Sequence, residues 1–300
     1  RYPVPVGVKR GRVVEWLYLQ DQPHLMINGI PGSGKTNYIR VAITTWIQNH
    51  SPNEIRFYIV DLKRGGDFRM FANVPHLAAD ILTDINDLLD IAPRLFMLVQ
   101  DRMEKFSSRG VWGIDEYNRL IDSPRDRMPR IVIVIDECNS IDNLADSKKE
   151  SGAIWRSLTL IATQARSAGV HLLLGTQQSF SDSIPKSVRD NITYVLSGRQ
   201  RTLAGSLATF GSGQAKKLPS IRGRMFCDNG MSDPFQVQTP YVSPESIQNA
   251  LKIANEYGKP PEIILSPSSA DIGNTGSSLN DYLILESEDL APVTLDLILD

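Results

Sequence analysis

The run Gly29-Ile30-Pro31-Gly32-Ser33-Gly34-Lys35-Thr36 fits the pattern G-x-x-x-x-G-K-[ST]. Backbone N–H groups in such a loop wrap the phosphates of a nucleotide. Its lysine reaches the β- and γ-phosphates, and its last hydroxyl joins a Mg²⁺ shell. The chemistry needs a strand before the loop and a helix after it. His24-Leu25-Met26-Ile27-Asn28 reads as a short buried strand, and Tyr38 to Trp46 carries apolar residues at helical spacing. The phosphates would then meet a helix N-terminus, where unpaired N–H groups and the helix dipole favour anions. Nucleotide contacts are expected from Gly29, Ile30, Pro31, Gly32, Ser33, Gly34, Lys35, Thr36 and Asn37, with Thr36 also on the metal.

The rest of the chain reads as strands alternating with helices. Ile55 to Val60 is a strand ending on Asp61, and a helix is expected from about Asp84 to Phe106, with Pro93 as a start or kink. Residues 108–129 are polar and Gly/Pro-bearing, and read as a loop or insert. Ile131 to Ile135 is an unbroken β-branched run, as in a parallel strand covered on both faces. Helical spacing returns from Ala153 to Ala165, and His171 to Leu174 and Ile192 to Leu196 read as further strands. The expected fold is α/β, a mainly parallel sheet with helices on both faces. Residues 1–23 look like a lead-in with a strand over Val13 to Leu19, residues 24–242 like the main domain, and residues 243–300 like an acidic, partly flexible extension. Within the extension, Ser266 to Asn280 reads as a linker and Leu283 to Leu299 as a small docked element or tail.

A chain of 300 residues, 41% of them hydrophobic, can bury a core of that size. Its net charge of −2 gives no general support for a polyanionic partner. The distribution is uneven, however. Arg156 to Asp228 holds ten Arg/Lys and three Asp, whereas Asn229 to Asp300 holds two Lys and eleven Asp/Glu. Cys138 and Cys227 lack metal-binding spacing and read as free thiols of a reducing compartment. No apolar run is long enough to span a bilayer. A chain opening on Arg1 is expected to be a piece of a longer protein, in which a membrane anchor upstream would be invisible, so that any membrane contact comes through a missing anchor or a partner subunit.

Four positions add to the phosphate chemistry. Asp136-Glu137 follows the apolar strand directly. Asp136 is the candidate for the Mg²⁺ shell and Glu137 for the base that polarises the attacking water. Gln177 follows the strand His171 to Leu174 and is placed to touch the γ-phosphate or its water. Asp61 is expected at the same sheet edge, either in the metal and water network or paired with Lys63. A guanidinium from a neighbouring subunit can stabilise charge in phosphoryl transfer. Arg166, Arg199 and Arg201 are the candidates.

Taken together these stretches resemble the FtsK/SpoIIIE family of motor ATPases. The matching segments are the phosphate loop, Asp61-Leu62-Lys63, Pro75-His76-Leu77, Thr83-Asp84, Arg102-Met103-Glu104, Ile131 to Glu137, Ala165 to Leu172, Gly175-Thr176-Gln177-Gln178 and Arg199 to Leu203. The resemblance runs from about residue 5 to residue 242. It implies a RecA-like fold, Mg²⁺-dependent ATP hydrolysis and, usually, a hexameric ring or a string of modules. Lys35, Thr36, Asp136 and Glu137 fall on family positions that serve nucleotide and Mg²⁺, and Arg201 on the favoured trans position. Two family motifs differ here: Arg199-Gln200-Arg201 stands in place of Asp-Ser-Arg, and Gln177-Gln178-Ser179 in place of Gln-Arg-Pro.

The family divides by cargo. Most members move double-stranded DNA in segregation, sporulation or conjugation, and one branch drives type VII protein secretion. Residues 243–300 are too short and acidic for a winged-helix module, which argues against chromosome segregation. One phosphate loop and the basic stretch with Lys216, Lys217, Arg222 and Arg224 favour a DNA pump of conjugation or mobile-element transfer, with the equal alternative that Arg222 and Arg224 only flank a hairpin near the nucleotide. A secretion ATPase acting on a substrate protein, and a nucleotide-binding scaffold without turnover, are the alternatives. The expected setting is a cytoplasmic domain at the inner face of the cell membrane.

Overall fold

The apolar runs pair side by side because each buries both faces. In the computed structural model, which describes residues 1–63, 66–177, 184–258 and 260, nine strands form one sheet. They are β1 (Pro3–Val8), β2 (Val14–Tyr18), β3 (Leu25–Asn28), β4 (Ile55–Asp61), β5 (Arg130–Asp136), β6 (Val170–Thr176), β7 (Tyr194–Ser197), β8 (Arg224–Asp228) and β9 (Phe235–Gln238). The order is β2-β1-β9-β8-β7-β3-β6-β5-β4. From β7 to β4 every pairing is parallel. From β7 to β2 every pairing is antiparallel.

Side-chain alternation divides the core into two layers. Ile131, Ile133 and Ile135 of β5 face one layer with Leu172 and Leu174 of β6. This layer is covered by α2 (Ile85–Ser108) and α5 (Lys148–Gln164). Val132, Val134 and Leu173 face the other, under α1 (Lys35–Asn49) and α8 (Pro244–Asn255). Shorter helices complete the body: α3 (Ile114–Arg119), α4 (Ser140–Leu144), α6 (Lys186–Arg189) and α7 (Leu203–Phe210). The RecA-like α/β architecture expected from the sequence is the one observed.

Several local readings change. β1 continues the sheet rather than lying in a lead-in, because Val4 and Val6 point into the core while Pro3 and Pro5 alternate with them. Prolines normally demote a strand, which hid it. Residues 108–129 contain α3, anchored by buried Ile114 and Tyr117. Pro93 lies inside α2, which runs on past it to Ser108. The first part of the expected extension, α8, packs Ile247, Ala250 and Ala254 against α1. The expected linker and tail, 266–280 and 283–299, lie outside the described residues.

Beneath the strand ends opposite the phosphate loop lies a buried polar cluster. His171 places Nδ1 3.0 Å from the Pro23 carbonyl and Nε2 3.2 Å from an Arg130 guanidinium nitrogen. The carbonyl needs a donor and the guanidinium can only donate, so His171 is held neutral with its proton on Nδ1. His24 accepts from the Leu172 amide at Nδ1 over 3.0 Å, and burial lowers its pKa to about 4. Burial and then Arg130 push His171 well below the ordinary histidine range. Both folded pKa values are depressed, so their stabilising contribution is complete above pH 6.5 and is lost as pH falls toward 4. For His24 the loss is expected to reach about 2 kcal/mol at pH 5. Imidazole NMR shifts should show both rings neutral at pH 5.5. A ring titrating near pH 6.5 in the folded protein would contradict this packing.

Candidate nucleotide site

Parallel pairing brings the strand ends to one edge. Asp61 of β4 is in register with Asp136 of β5, and Asn28 of β3 with Thr176 of β6. Ligands of open α/β sheets bind outside such carboxyl edges. The phosphate loop leaves β3 here and enters α1.

The first intrahelical bond of α1 runs from the Tyr38 amide to the Gly34 carbonyl, 2.9 Å. The amides of Lys35, Thr36 and Asn37 therefore stand outside the helical ladder, at the positive end of its dipole. The Ser33 Oγ is buried without a hydrogen-bond partner. A triphosphate would satisfy both needs, so the loop fits a nucleotide. Gly34, at φ 106°, is required twice over: the backbone is left-handed, and a Cβ would lie 2.9 Å from the Gly223 nitrogen.

Lys35 and Asp136 form a close buried ion pair, and Thr36 donates its hydroxyl to the other Asp136 oxygen over 3.1 Å. A hydroxyl and a carboxylate at the α1–β5 junction are the hard oxygen donors that suit Mg²⁺. Burial lowers the Lys35 pKa, and Glu137, at 3.5 Å, opposes that shift. Gly175 of β6 leaves room for the pair, since a Cβ there would come within 2.7 Å of Asp136 Oδ1.

Glu137 follows Asp136 in a left-handed conformation, φ 65°. That region is costly for a residue with a Cβ and marks strain held by its surroundings. The surroundings are on both sides of the chain. The Cys138 amide bonds the Gly175 carbonyl at 2.8 Å, and the Ser140 amide bonds the Glu137 carbonyl at 2.9 Å. The turn aims a carboxylate that is only 3% exposed back at the phosphate loop. One carboxylate oxygen accepts from the Gln177 amide at 2.9 Å and the other from Lys63 at 2.6 Å.

Lys63 thus pairs with Glu137, not with Asp61 as one sequence reading had it. Asp61 is buried, and burial followed by Asp67 raises its pKa. Gln177 reaches the site through its main chain, while Gln178 lies outside the described residues. Asn37 is drawn to another task. Its amide donates to the Pro240 carbonyl at 2.8 Å and accepts from the Val242 amide at 3.3 Å, clamping the β9–α8 connection to α1. Only its main-chain amide is left free at the helix N-terminus.

The arginines separate. The Ile30 amide contacts the Arg199 carbonyl at 3.4 Å, so Arg199 and the nearby Arg201 lie beside their own phosphate loop, both exposed. Arg166 precedes β6 and sits at the opposite end of the sheet, where its guanidinium donates to the Gln20 carbonyl at 3.1 Å. Arg222 and Arg224 flank the turn before β8. The Gly223 amide of that turn donates to the Ser33 carbonyl at 2.7 Å, and Arg224 donates to Gln238 at 3.1 Å. The turn is thus a brace under the phosphate loop. Lys216 and Lys217 are exposed nearby.

Loop, strand-tip carboxylates and sheet define a P-loop NTPase of the RecA-like type. The chain belongs to the FtsK/SpoIIIE family, whose model matches residues 1–182. It is 29% identical over 248 residues to a protein named DNA translocase FtsK from Sporosarcina ureae, covering 80% of this chain and 31% of that one. A Staphylococcus epidermidis protein of the same name is 26% identical over 269 residues, covering 86% and 33%. The chain therefore spans about a third of these relatives' length. Two solved structures share the fold at 22% identity and TM-score 0.73. One is the pCW3 conjugation coupling protein TcpA with ATPγS, covering 84% of this chain and 70% of that one. The other is the cytoplasmic domain of the Thermomonospora curvata type VII secretion ATPase EccC, covering 89% and 32%.

The Lys35–Asp136 contact is expected to couple the two residues energetically. Lys35→Ala leaves two buried carboxylates with one cation fewer, and Asp136→Asn leaves Lys35 underpaired. In a denaturation double-mutant cycle the coupling should be about 1–3 kcal/mol. Simple additivity would show that the pair does not form in solution.

Proposed function

We propose that this chain is the ATP-hydrolysing module of a motor that moves double-stranded DNA. The observation that carries the reading is the convergence of Lys35, Thr36, Asp136 and Glu137 on one helix N-terminus. Phosphates lie against the amides of Lys35, Thr36 and Asn37, and Lys35 exchanges its carboxylate partners for phosphate oxygens. Thr36 and Asp136 would hold Mg²⁺, which would supply neutralising charge to those oxygens. Glu137 takes the proton of the attacking water. Its two oxygens are already aimed by Lys63 and the Gln177 amide.

A lone subunit has no neighbour to supply a trans arginine. Of the three candidates, Arg166 suits a trans role best. β6 separates it from its own site by roughly 20 Å at the rise of a strand. In a head-to-tail ring, each subunit then offers its far edge to its neighbour's loop. Arg201, favoured by position in the family, stands beside its own loop. A hexameric ring and anchoring to a membrane belong to the same reading. Among the described residues no helix is long and apolar enough to cross a membrane.

DNA as cargo is supported by the naming of the relatives and by the basic run from Arg156 to Asp228. Conjugation or mobile-element transfer is the setting we favour. Released phosphate should be abolished by Lys35→Ala, whereas Glu137→Gln should keep nucleotide binding and lose turnover. Unchanged turnover in both would refute the assignment. Mixing Lys35→Ala with Arg166→Ala subunits should restore part of the activity, and more than mixing with Arg201→Ala.

Linear duplex DNA should stimulate turnover, and the stimulation should fade as salt rises, because phosphate contacts release condensed counterions. An assembled ring that ignores DNA but responds to a secretion-signal peptide would transfer the reading to protein export.

A further inference from the structure

Of the fourteen large apolar side chains that stand exposed among the described residues, five gather at the β2 end of the sheet: Val8, Val13, Val14, Trp16 and Met231. Single exposed apolar residues need no explanation, whereas a cluster does. The first four belong to the β1–β2 hairpin and the fifth to the loop between β8 and β9. We propose that these two tips form a membrane-docking surface, which lays its apolar side chains and two arginines on a bilayer of anionic lipid. Membrane contact then comes from the described residues themselves, not only through an anchor or a partner. The proposal does not rest on the motor reading.

Register sets the face. Val8 pairs with Val14 and Pro5 with Trp16, so these side chains share one side of the ribbon. Val4, Val6 and Leu17 take the other side and are buried in the core. The two tips are also bonded to each other. Glu15 accepts from Lys9 at 2.6 Å and from the Asn229 side chain at 3.0 Å. Asn229 in turn accepts from the Met231 amide at 3.0 Å. Met231, 74% exposed, is thus tied to the hairpin that carries Val13, 56% exposed.

Charge decides what covers the surface. Lys9, Arg10 and Arg12 fill three of the four positions at the start of the turn. Lys9 is committed to Glu15 and to the Phe235 ring, 4.5 Å away. Arg10 and Arg12 are exposed, and Asp233 is the exposed acid of the two turns. Arg12 holds φ 63°, a left-handed conformation that glycine would take without steric cost. A strained arginine at an exposed turn points to a use for its side chain. A nucleic acid would engage the arginines and leave the valines and Trp16 idle. An uncharged protein face would engage the apolar side chains and leave the arginines idle. An anionic bilayer takes both. The valines and Met231 enter the acyl boundary, Trp16 lies at headgroup level, and the guanidinium groups stay on lipid phosphates.

Flotation of the whole chain with phosphatidylcholine vesicles, with and without phosphatidylglycerol, tests the surface. Binding is expected only with phosphatidylglycerol and should weaken as salt rises. Arg10→Ala with Arg12→Ala should weaken it about 30-fold, at about fivefold for each charge near an anionic surface. Val13→Asn with Met231→Asn keeps the charge and should weaken it about tenfold by removing apolar area. Lys148→Ala with Lys149→Ala removes as much charge from α5 and should leave it unchanged. All these side chains are exposed, so unfolding temperatures should match the parent. Brominated lipid should quench Trp16, and Trp16→Phe should lose that quenching. Absence of binding to phosphatidylglycerol vesicles overturns the proposal. So does binding that survives both hairpin variants, or quenching that survives Trp16→Phe. Loss of duplex DNA binding in the arginine variant, with vesicle binding intact, assigns the hairpin to nucleic acid instead.

Discussion

The tie between α1 and the tip of β5 is the constraint on which the site depends. Lys35 belongs to a helix that packs on one face of the sheet, and Asp136 to a strand inside it. Their ion pair fixes the helix N-terminus against the carboxyl edge, and Thr36 adds a second bond to the same carboxylate. Buried pairs of this kind are weak evidence for net stability but strong evidence for register, since separating them leaves charge uncompensated. The geometry needs a gap in the neighbouring strand, and Gly175 provides it. Every later feature of the site takes its position from this contact.

Glu137 shows how the same edge stores strain. A glycine at that turn would adopt φ 65° without steric cost. The chain places a glutamate there, and the strand pairing on one side and the α4 entry on the other hold it. Lys63 and the Gln177 amide then occupy its two oxygens, so the carboxylate is held in one orientation. Strain of this kind costs stability and persists only because the surrounding bonds over-determine the turn.

Much of this was legible in the sequence because the responsible signals are local. The phosphate loop, the β-branched run of β5 and the Asp-Glu after it place themselves by pattern alone, and the parallel half of the sheet follows from strand–helix alternation. What escaped was long-range or contrary to propensity. β1 hides behind two prolines. The pairing of Lys63 with Glu137 instead of Asp61 depends on the left-handed turn, which no residue type announces. Asn37 follows directly on the phosphate loop, yet its side-chain amide serves residues 240–242, two hundred positions away. Of the two readings of Arg222 and Arg224, the hairpin near the nucleotide is the one found, and Gly223 between them marks its close backbone approach.

That brace joins the two halves of the sheet through the phosphate loop. The Gly223 amide bonds the Ser33 carbonyl, Thr239 donates its hydroxyl to the Gly223 carbonyl at 3.1 Å, and Gln238 donates to the Arg222 carbonyl at 3.0 Å. The loop is therefore stitched to the β8–β9 hairpin, and the hairpin through Pro240 and Val242 to α1. Gly34 and Gly223 meet with no space for a Cβ on either. A Cβ on Gly223 would lie 2.8 Å from the Gln238 and Thr239 side chains. The loop cannot advance on the hairpin without carrying it along. Close-packed contacts of this sort pass displacement on rather than absorb it. The β8–β9 hairpin is in this sense part of the phosphate site, although it lies beyond residues 1–182, where the family model matches.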